Sequence, residues 1–512
     1  MSSHRHSRID WVASSTQTYR EHRVSDDSVL GKRTAFTLAM IRSARFIIIL
    51  FVASLGWAQT PVEDLARVLR DKQVITSTDY DRIMHASPGD DVTLLKSILH
   101  DKGILTNAEV AGIGSHPVTT PVAPPAHPQT ASHVRDAGSE GQHLSLYGTL
   151  LFNAFFNDQA TNNIDIPLFA SPNAPGPTEN FGATARQTRL GVNYSGEKAG
   201  GADLNAKLEV DFLGGEPAFT NGISMDLVRL RLAYGRLDWA HFSLEAGQDW
   251  TIFAPLNPTS LAEFAIPSLS ASGNLWIRTP QLRAEWKNHL GGGNVLWQWA
   301  LLDPDIGDNA AAYAVARVPK AGELGRLPAV ETRFAYSAPV QDRTVTVGFS
   351  AHWNSAKNTG TIGTVPVALN FESWGGAADF NLPVSKRIAL TGEAYGGHAL
   401  GIFSGGISQT LAPVGEAGNR GIGSRGGWMQ AQINLSKKWQ GNTAYGIDSP
   451  DLRNLITGSR AKNQSYMSNI MYFLSPHVTF AIEWRRFLTN YRNQVLLNNI
   501  GDQYNFAAAF TF

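Results

Sequence analysis

From residue 143 to the C-terminus the chain alternates apolar and polar residues with period two, segment after segment. In "ADLNAKLEVDF", Leu204, Ala206, Leu208, Val210 and Phe212 share one face, while Asp203, Asn205, Lys207, Glu209 and Asp211 share the other. Successive side chains of a strand point to opposite faces, so each segment reads as an amphipathic strand of about ten residues. Val228, Leu230, Leu232 and Tyr234 likewise oppose Arg229, Arg231, Ala233 and Gly235. Phe242, Leu244 and Ala246 oppose Ser243, Glu245 and Gly247; Leu282, Ala284 and Trp286 oppose Gln281, Arg283, Glu285 and Lys287. The last ten residues, "QYNFAAAFTF", put Tyr504, Phe506, Ala508, Phe510 and Phe512 on one face. A terminus that ends on Phe in a strict alternation is unlike the frayed polar end of a soluble domain.

The connections alternate in length. Short ones fall at 198–201, 235–240, 288–293, 337–342, 382–385, 436–438 and 475–477. Long ones fall around 158–181, 214–224, 252–275, 303–325, 355–364, 401–423, 449–462 and 491–501. Seven short turns and eight long loops separate sixteen strands, with both ends of the sheet on the short-turn side. That is the topology of a bacterial outer-membrane barrel. Hydrocarbon offers no partner to an unpaired backbone group, so the sheet is expected to close, with the terminal decamer pairing to residues 143–157. The fold class expected is therefore all-β: a 16-stranded antiparallel transmembrane β-barrel (142–512), its outside dissolved in outer-membrane lipid. Tyr147, Tyr194, Tyr234, Trp250, Trp276, Trp286, Trp353, Trp439, Tyr472 and Trp484 lie near strand ends, as interfacial aromatic girdles require.

Composition excludes several alternatives. No apolar run reaches the roughly 20 residues of a spanning helix. Formal net charge is +0, which argues against a nucleic-acid partner. There is no cysteine, hence no disulfide framework or thiolate metal site. The longest apolar run, 46–57, follows Arg42 and Arg45 and precedes a small-residue cleavage pattern. It reads as a signal-peptide core with cleavage after Ala58. Translation is expected to start at Met40, making 40–58 the signal peptide and 1–39 a mis-annotated extension.

Residues 59–113 carry an internal repeat offset by thirty positions; Leu65, Val68, Leu69, Asp71 and Lys72 match Leu95, Ile98, Leu99, Asp101 and Lys102. Each copy has apolar residues at helical spacing, a break, and then Thr-x-x-acid, the capping-box signature. A repeated helical hairpin in the periplasm is expected, either an oligomerisation or tethering element or a spacer. Residues 114–141 are rich in Pro, His, Thr and Ala and read as a semi-extended linker. His116, His127 and His133 there read as linker histidines rather than metal ligands.

The segments "ARQTRLGVNYSG", "AKLEVDFLGG", "VRLRLAYGRL", "LEAGQDWTIFAPLNP" and "RTPQLRAEW" resemble the DcaP-like trimeric porins of the bacterial outer membrane. The resemblance runs over most of 143–512 and is densest from Arg186 to Trp286. It implies a homotrimer, a helical N-terminal extension, and passive uptake of small hydrophilic, often anionic, solutes. Phe512 is similar to the terminal aromatic read by the outer-membrane assembly machinery.

The polar face of these strands supplies the expected lumen. Arg189, Arg229, Arg231, Arg283 and Arg333 alternate, strand by strand, with Glu209, Asp211, Glu245, Asp249 and Glu285. Arg186 and Arg278 lie near but fit the inward phase less cleanly. Such rows either select ions, as charged pore linings do, or pair across strands and brace the wall. Arginine stays charged at any relevant pH, so unpaired members would guide small anions. The apolar segment 255–275 either folds inward and narrows the pore or packs at a subunit contact. Ser350 and His352 share a strand face, but no nucleophile motif accompanies them and no catalytic residue is assigned. No cofactor or metal is expected.

Overall fold

The computed structural model describes residues 66–102, save 67–68, 72–73 and 86–89, and residues 142–512, save 173–177, 219, 221, 308–317, 341–342, 363–364, 413–420 and 494–498. The expected signal peptide, its cleavage point and the Pro-rich linker lie outside these residues. The chain divides into two compact units, one ending at His116 and one beginning at Pro117.

In the first unit, helices α1 (Ser77–Met84) and α2 (Asp90–Asp101) follow the repeat. Thr76 caps α1: its hydroxyl accepts from the Asp79 N–H at 3.1 Å, and the Asp79 carboxylate accepts from the Thr76 N–H at 3.0 Å. That is the capping box expected from "TSTD". Ala66, Ile75, Ile83, Leu95 and Ile98 bury a small apolar cluster, so the apolar positions of the two copies do meet. The second copy's Thr106 and Glu109 lie outside the described residues.

The second unit is one closed antiparallel sheet. Its strands are β1 (His143–Asn157), β2 (Asn180–Thr184), β3 (Arg189–Ala199), β4 (Ala202–Asp211), β5 (Arg229–Asp238), β6 (Phe242–Trp250), β7 (Arg278–Leu290), β8 (Gly293–Leu302) and β9 (Ala329–Val340). They continue as β10 (Arg343–Ile362), β11 (Val365–Pro383), β12 (Ile388–His398), β13 (Gly423–Asn434), β14 (Trp439–Pro450), β15 (Arg460–Ser475), β16 (Val478–Tyr491) and β17 (Asn499–Thr511). β2 and β3 both pair with β1 and form one pass interrupted at 185–188, so the seventeen strands make the expected 16-strand barrel. Closure is between β1 and β17, with Phe152 opposite Ala508 and Asn157 opposite Gln503. The N–H and carbonyl of Phe512 exchange hydrogen bonds with Gly148, each 3.0 Å.

Outward positions are apolar and exposed, including Leu150, Phe152, Leu208, Phe334, Ile482, Phe506 and Phe510. Only lipid accommodates so continuous an apolar exterior. Among the described residues no helix is long and apolar enough to cross a membrane; the crossing is made by strands. Trp286, Trp439 and Trp484 face outward as girdle residues.

The structure departs from the sequence reading in three places. A β-bulge at Arg231 sets Leu230 opposite Val210 but Leu232 opposite Glu209. One extra residue reverses the phase of a strand. Leu232 and Tyr234, expected outside, therefore turn inward, and Arg236 joins them. Tyr147 also faces the lumen, its hydroxyl donating to Glu209 at 2.8 Å. Finally, 355–364 is mostly strand rather than loop, because β10 and β11 continue as a long hairpin.

Candidate functional site: the lumen and its internal loop

The loop after β6 fills the barrel. From Thr251 to Leu275 every residue is buried except Pro255, Asn257 and Ile266, which are half-buried. Wall side chains clasp its backbone at successive points. Glu331 accepts from the N–H groups of Ile252 and Phe253 and from the Thr251 hydroxyl; Ser350 accepts from Ala254. Glu393 accepts from Leu256 at 2.6 Å and Gln430 from Thr259 at 2.7 Å. Gln187, in the break between β2 and β3, accepts from both Phe264 and Ala265 at 2.8 and 2.9 Å. These bonds satisfy backbone groups that water no longer reaches. Gly273, at φ +98°, approaches Gly427 so closely that a Cβ would sit 2.3 Å from the Gly427 carbonyl oxygen. Bare backbone on both sides lets the loop lie against the wall. The inward alternative for this segment is thus the one the fold adopts.

The carboxylates that clasp the loop were not singled out from the sequence. An isolated Glu on a polar strand face carries no signal of what will fold against it. The same holds for Arg485, which contacts Glu263 of the loop and Glu483 of its own strand, with all three side chains about 2% exposed. Burial pushes the Glu263 carboxyl above its usual range, against the opposing pull of Arg485.

All ten charged residues expected in the lumen lie on the inner face, and most are paired. Arg229 bridges Asp211 at 2.6 Å, and Arg231 bridges Glu209 at 2.7 Å and Asp211 at 2.9 Å. Arg189 lies 3.5 Å from Glu209. Nearer the short-turn rim, Arg283 bridges Asp249 at 3.0 Å, while Arg236 reaches Glu285 at 2.5 Å and Glu245 at 3.2 Å. Arg333 of β9 bridges Asp379 of β11 at 2.7 Å, reaching over Gly348 of β10. The bracing reading therefore describes most pairs. Arg186, one of the two that fit the inward phase less cleanly, bonds Asp165 in the first long loop.

The upper group, however, does not balance. Arg189, Arg229, Arg231, Arg278 and Lys207 outnumber the carboxylates around them, Glu209, Asp211 and, beside Lys207, Asp249. The surplus cations turn to loop carbonyls: Arg189 donates to Phe264 at 2.9 Å, and Arg229, Arg231 and Arg278 donate to Ala265 at 3.1, 3.2 and 3.4 Å. Arg278 also stacks on Trp250 and Trp276, its guanidinium carbon 4.6 and 5.1 Å from the ring centres. Two aromatic faces hold the cation without neutralising it.

Water reaches the two walls unequally. Arg229 and Arg189 keep 25% and 19% of their side-chain surface, although Arg231 on the same wall keeps only 1%. Opposite them, Arg333 and Asp379 keep 6% and 2%. The opposite wall is covered by the internal loop and by further inward segments, where Phe253, Leu275, Leu400 and Phe403 pack together. The accessible lane therefore runs along β3–β7, beside residues 264–266. Ser350 and His352 lie under the loop on the covered wall. His352 stands 3.2 Å from Glu331, and Ser350 is engaged by the Ala254 N–H, so all three side chains serve the clasp.

No protein-family model matches the sequence, and no curated relative matches it. Solved structures do. The outer-membrane channel DcaP of Acinetobacter baumannii aligns at 17% identity with a TM-score of 0.54, over 74% of this chain and 99% of that one. OprB of Pseudomonas putida aligns at 8% identity and TM-score 0.46, over 73% of this chain and 94% of that one. An anion-selective porin from Comamonas acidovorans aligns at 10% identity and TM-score 0.45, over 72% of this chain and 100% of that one. The barrel of this chain has the fold of the outer-membrane channel DcaP.

Proposed function

We propose that the chain is an outer-membrane porin, a passive pore for small hydrophilic solutes with a preference for anions. The observation that carries the preference is the surplus of cations at Arg189, Arg229, Arg231, Arg278 and Lys207 over Glu209, Asp211 and Asp249; of these cations Arg229 and Arg189 keep contact with water, while Arg231 is buried in its ion pairs. Arginines fixed in a narrow aqueous lane attract anions and repel cations. The paired Arg283, Arg236, Glu245 and Glu285 act mainly as braces. The internal loop narrows the lane, and Phe264–Ile266 form its facing edge. Reversal potential in asymmetric KCl tests the preference directly: anion selectivity is expected, and cation selectivity contradicts it. The double variant Arg189→Gln with Arg278→Gln should lower the anion-to-cation permeability ratio several-fold at unchanged channel insertion.

On this reading residues 40–58 are the signal peptide, the functional unit is a homotrimer, and Phe512 is read by the assembly machinery. The helical unit favours an added role, since α1 and α2 bury an apolar cluster of their own. It acts in the periplasm as an oligomerisation or tethering module.

A further inference from the structure

One stretch of the covered wall is held in a backbone conformation that most side chains avoid. Residues 399–412, between β12 and β13, fold into the barrel as a strap. Ala399, Ser404, Ile407 and Ser408 have φ of +54°, +70°, +55° and +55°. These are four of the nine non-glycine residues with positive φ among the described ones, so the strain is concentrated here. Such angles press Cβ against the following carbonyl oxygen, and they are rarest for a β-branched residue such as Ile407. Strain of this kind persists only where surrounding contacts over-determine it, and it gathers at switch segments.

The contacts that hold the strap down are few. Leu400 rests on bare backbone: a Cβ at Gly375 or Gly397 would sit 2.9 or 2.7 Å from its Cδ1. The Phe403 ring meets Phe253 and His352 edge-on, with centres 5.3 and 4.8 Å away. Further along, the Ile407 N–H donates to the Asp448 carboxylate at 3.0 Å, and Arg460 donates to the Ile407 carbonyl at 2.9 Å. The two feet are tied to one residue. The Ala399 N–H donates to the Ile422 carbonyl, and the Ile422 N–H to the Thr410 carbonyl, each at 2.9 Å.

What lies beneath is polar. Under Phe403, His352 sets its Nδ1 3.2 Å from Glu331, while its buried Nε2 has no partner. Two residues along the same inward face of β10, both amide atoms of the buried Asn354 also lack one. Polar groups buried in this way are less stable than the same groups in water. Strain in the strap and unmet hydrogen bonds in the wall both favour release; the apolar seating of Leu400, Phe403 and Ile407 opposes it.

We propose that residues 399–412 form a hinged inner gate. The strap swings off the wall about its feet at Ala399 and Thr410, lets water reach His352 and Asn354, and widens the lumen beside β10–β13. The pore then has two open levels, strap down and strap up. The inference rests on the porin reading of the chain.

Single-channel recording of the full chain in planar bilayers tests it with a thiol lock. A Cβ at Gly406 would stand 3.7 Å from the Cβ of Ser424, a spacing that a disulfide spans, and the chain has no other cysteine to interfere. Oxidised Gly406→Cys with Ser424→Cys should show the lower level alone, and reduction with dithiothreitol should restore the upper one. Two further variants read the balance without a cross-link. Ser404→Gly with Ser408→Gly relieves strain and should lower occupancy of the upper level several-fold. Phe403→Ala removes the seat and should raise that occupancy several-fold, with both current amplitudes as in the wild type. Identical levels in the oxidised and reduced lock, or unchanged occupancy in both other variants, overturn the proposal. A wild type that conducts at one level only overturns this inference and leaves the porin reading intact; a barrel that inserts yet passes no current overturns both.

Discussion

Arg485 shows how much the internal loop depends on single side chains. It is enclosed with Glu263 and Glu483, and it also bonds Gln503. Arg485→Met would leave two buried carboxylates without their cation. Breaking a buried pair from one side costs about 3–5 kcal/mol, and urea unfolding of the vesicle-reconstituted protein should show a loss of that order. A far smaller loss would mean the cluster is wet. In the helical unit, hydrogen bonds from Thr76 hold the Asp79 carboxyl below its usual range, with Lys102 adding to the effect. A depressed carboxyl stabilises the fold above the ordinary carboxylate range and loses that contribution as pH falls through its own lower value. Protection of 77–84 against hydrogen exchange, corrected for intrinsic rates, should fall over that acidic window. Thr76→Ala should cost about 1 kcal/mol at neutral pH and flatten the pH dependence; an unchanged profile would contradict the capping account. At this scale the sequence was informative where chemistry is local, as in Thr76-x-x-Asp79, and silent where partners come from distant loops, as for Glu331 and Glu393.

At the scale of elements, strands were legible because period-two alternation is a property of a few consecutive residues. The bulge at Arg231 was not, since one inserted residue leaves both halves of β5 alternating and only the register reveals the change. That hidden step is why Arg236 escaped notice while Arg229 and Arg231 did not. The loop 251–275 was visible as unusually apolar, but its inward course depends on clasps contributed by wall strands far apart in sequence. Deleting residues 258–271 should raise single-channel conductance, and an unchanged value would show that the loop does not narrow the path. A gentler test is Gly446→Val. A Cβ at Gly446 would sit 2.1 Å from the Ser272 carbonyl oxygen, so the branched side chain must push the loop off β14. Conductance should rise or become noisier, while heat-modifiable migration of the folded barrel persists.

The whole molecule joins an apolar exterior to a lumen in which one wall is wet and charged and the other is packed by loops. Balanced net charge concealed this asymmetry, because formal totals say nothing about which cations keep contact with water. Alternating turn and loop lengths, by contrast, announced an up-and-down meander and its strand number directly, and closure followed because hydrocarbon leaves no partner for an open sheet edge. The central claim is that this closed barrel conducts. Single-channel recording of the purified chain in planar bilayers tests it most directly. Discrete, reproducible conductance steps in KCl are expected, larger after deletion of 258–271. A correctly folded, heat-modifiable barrel that inserts into the bilayer yet passes no current in either form would contradict the account.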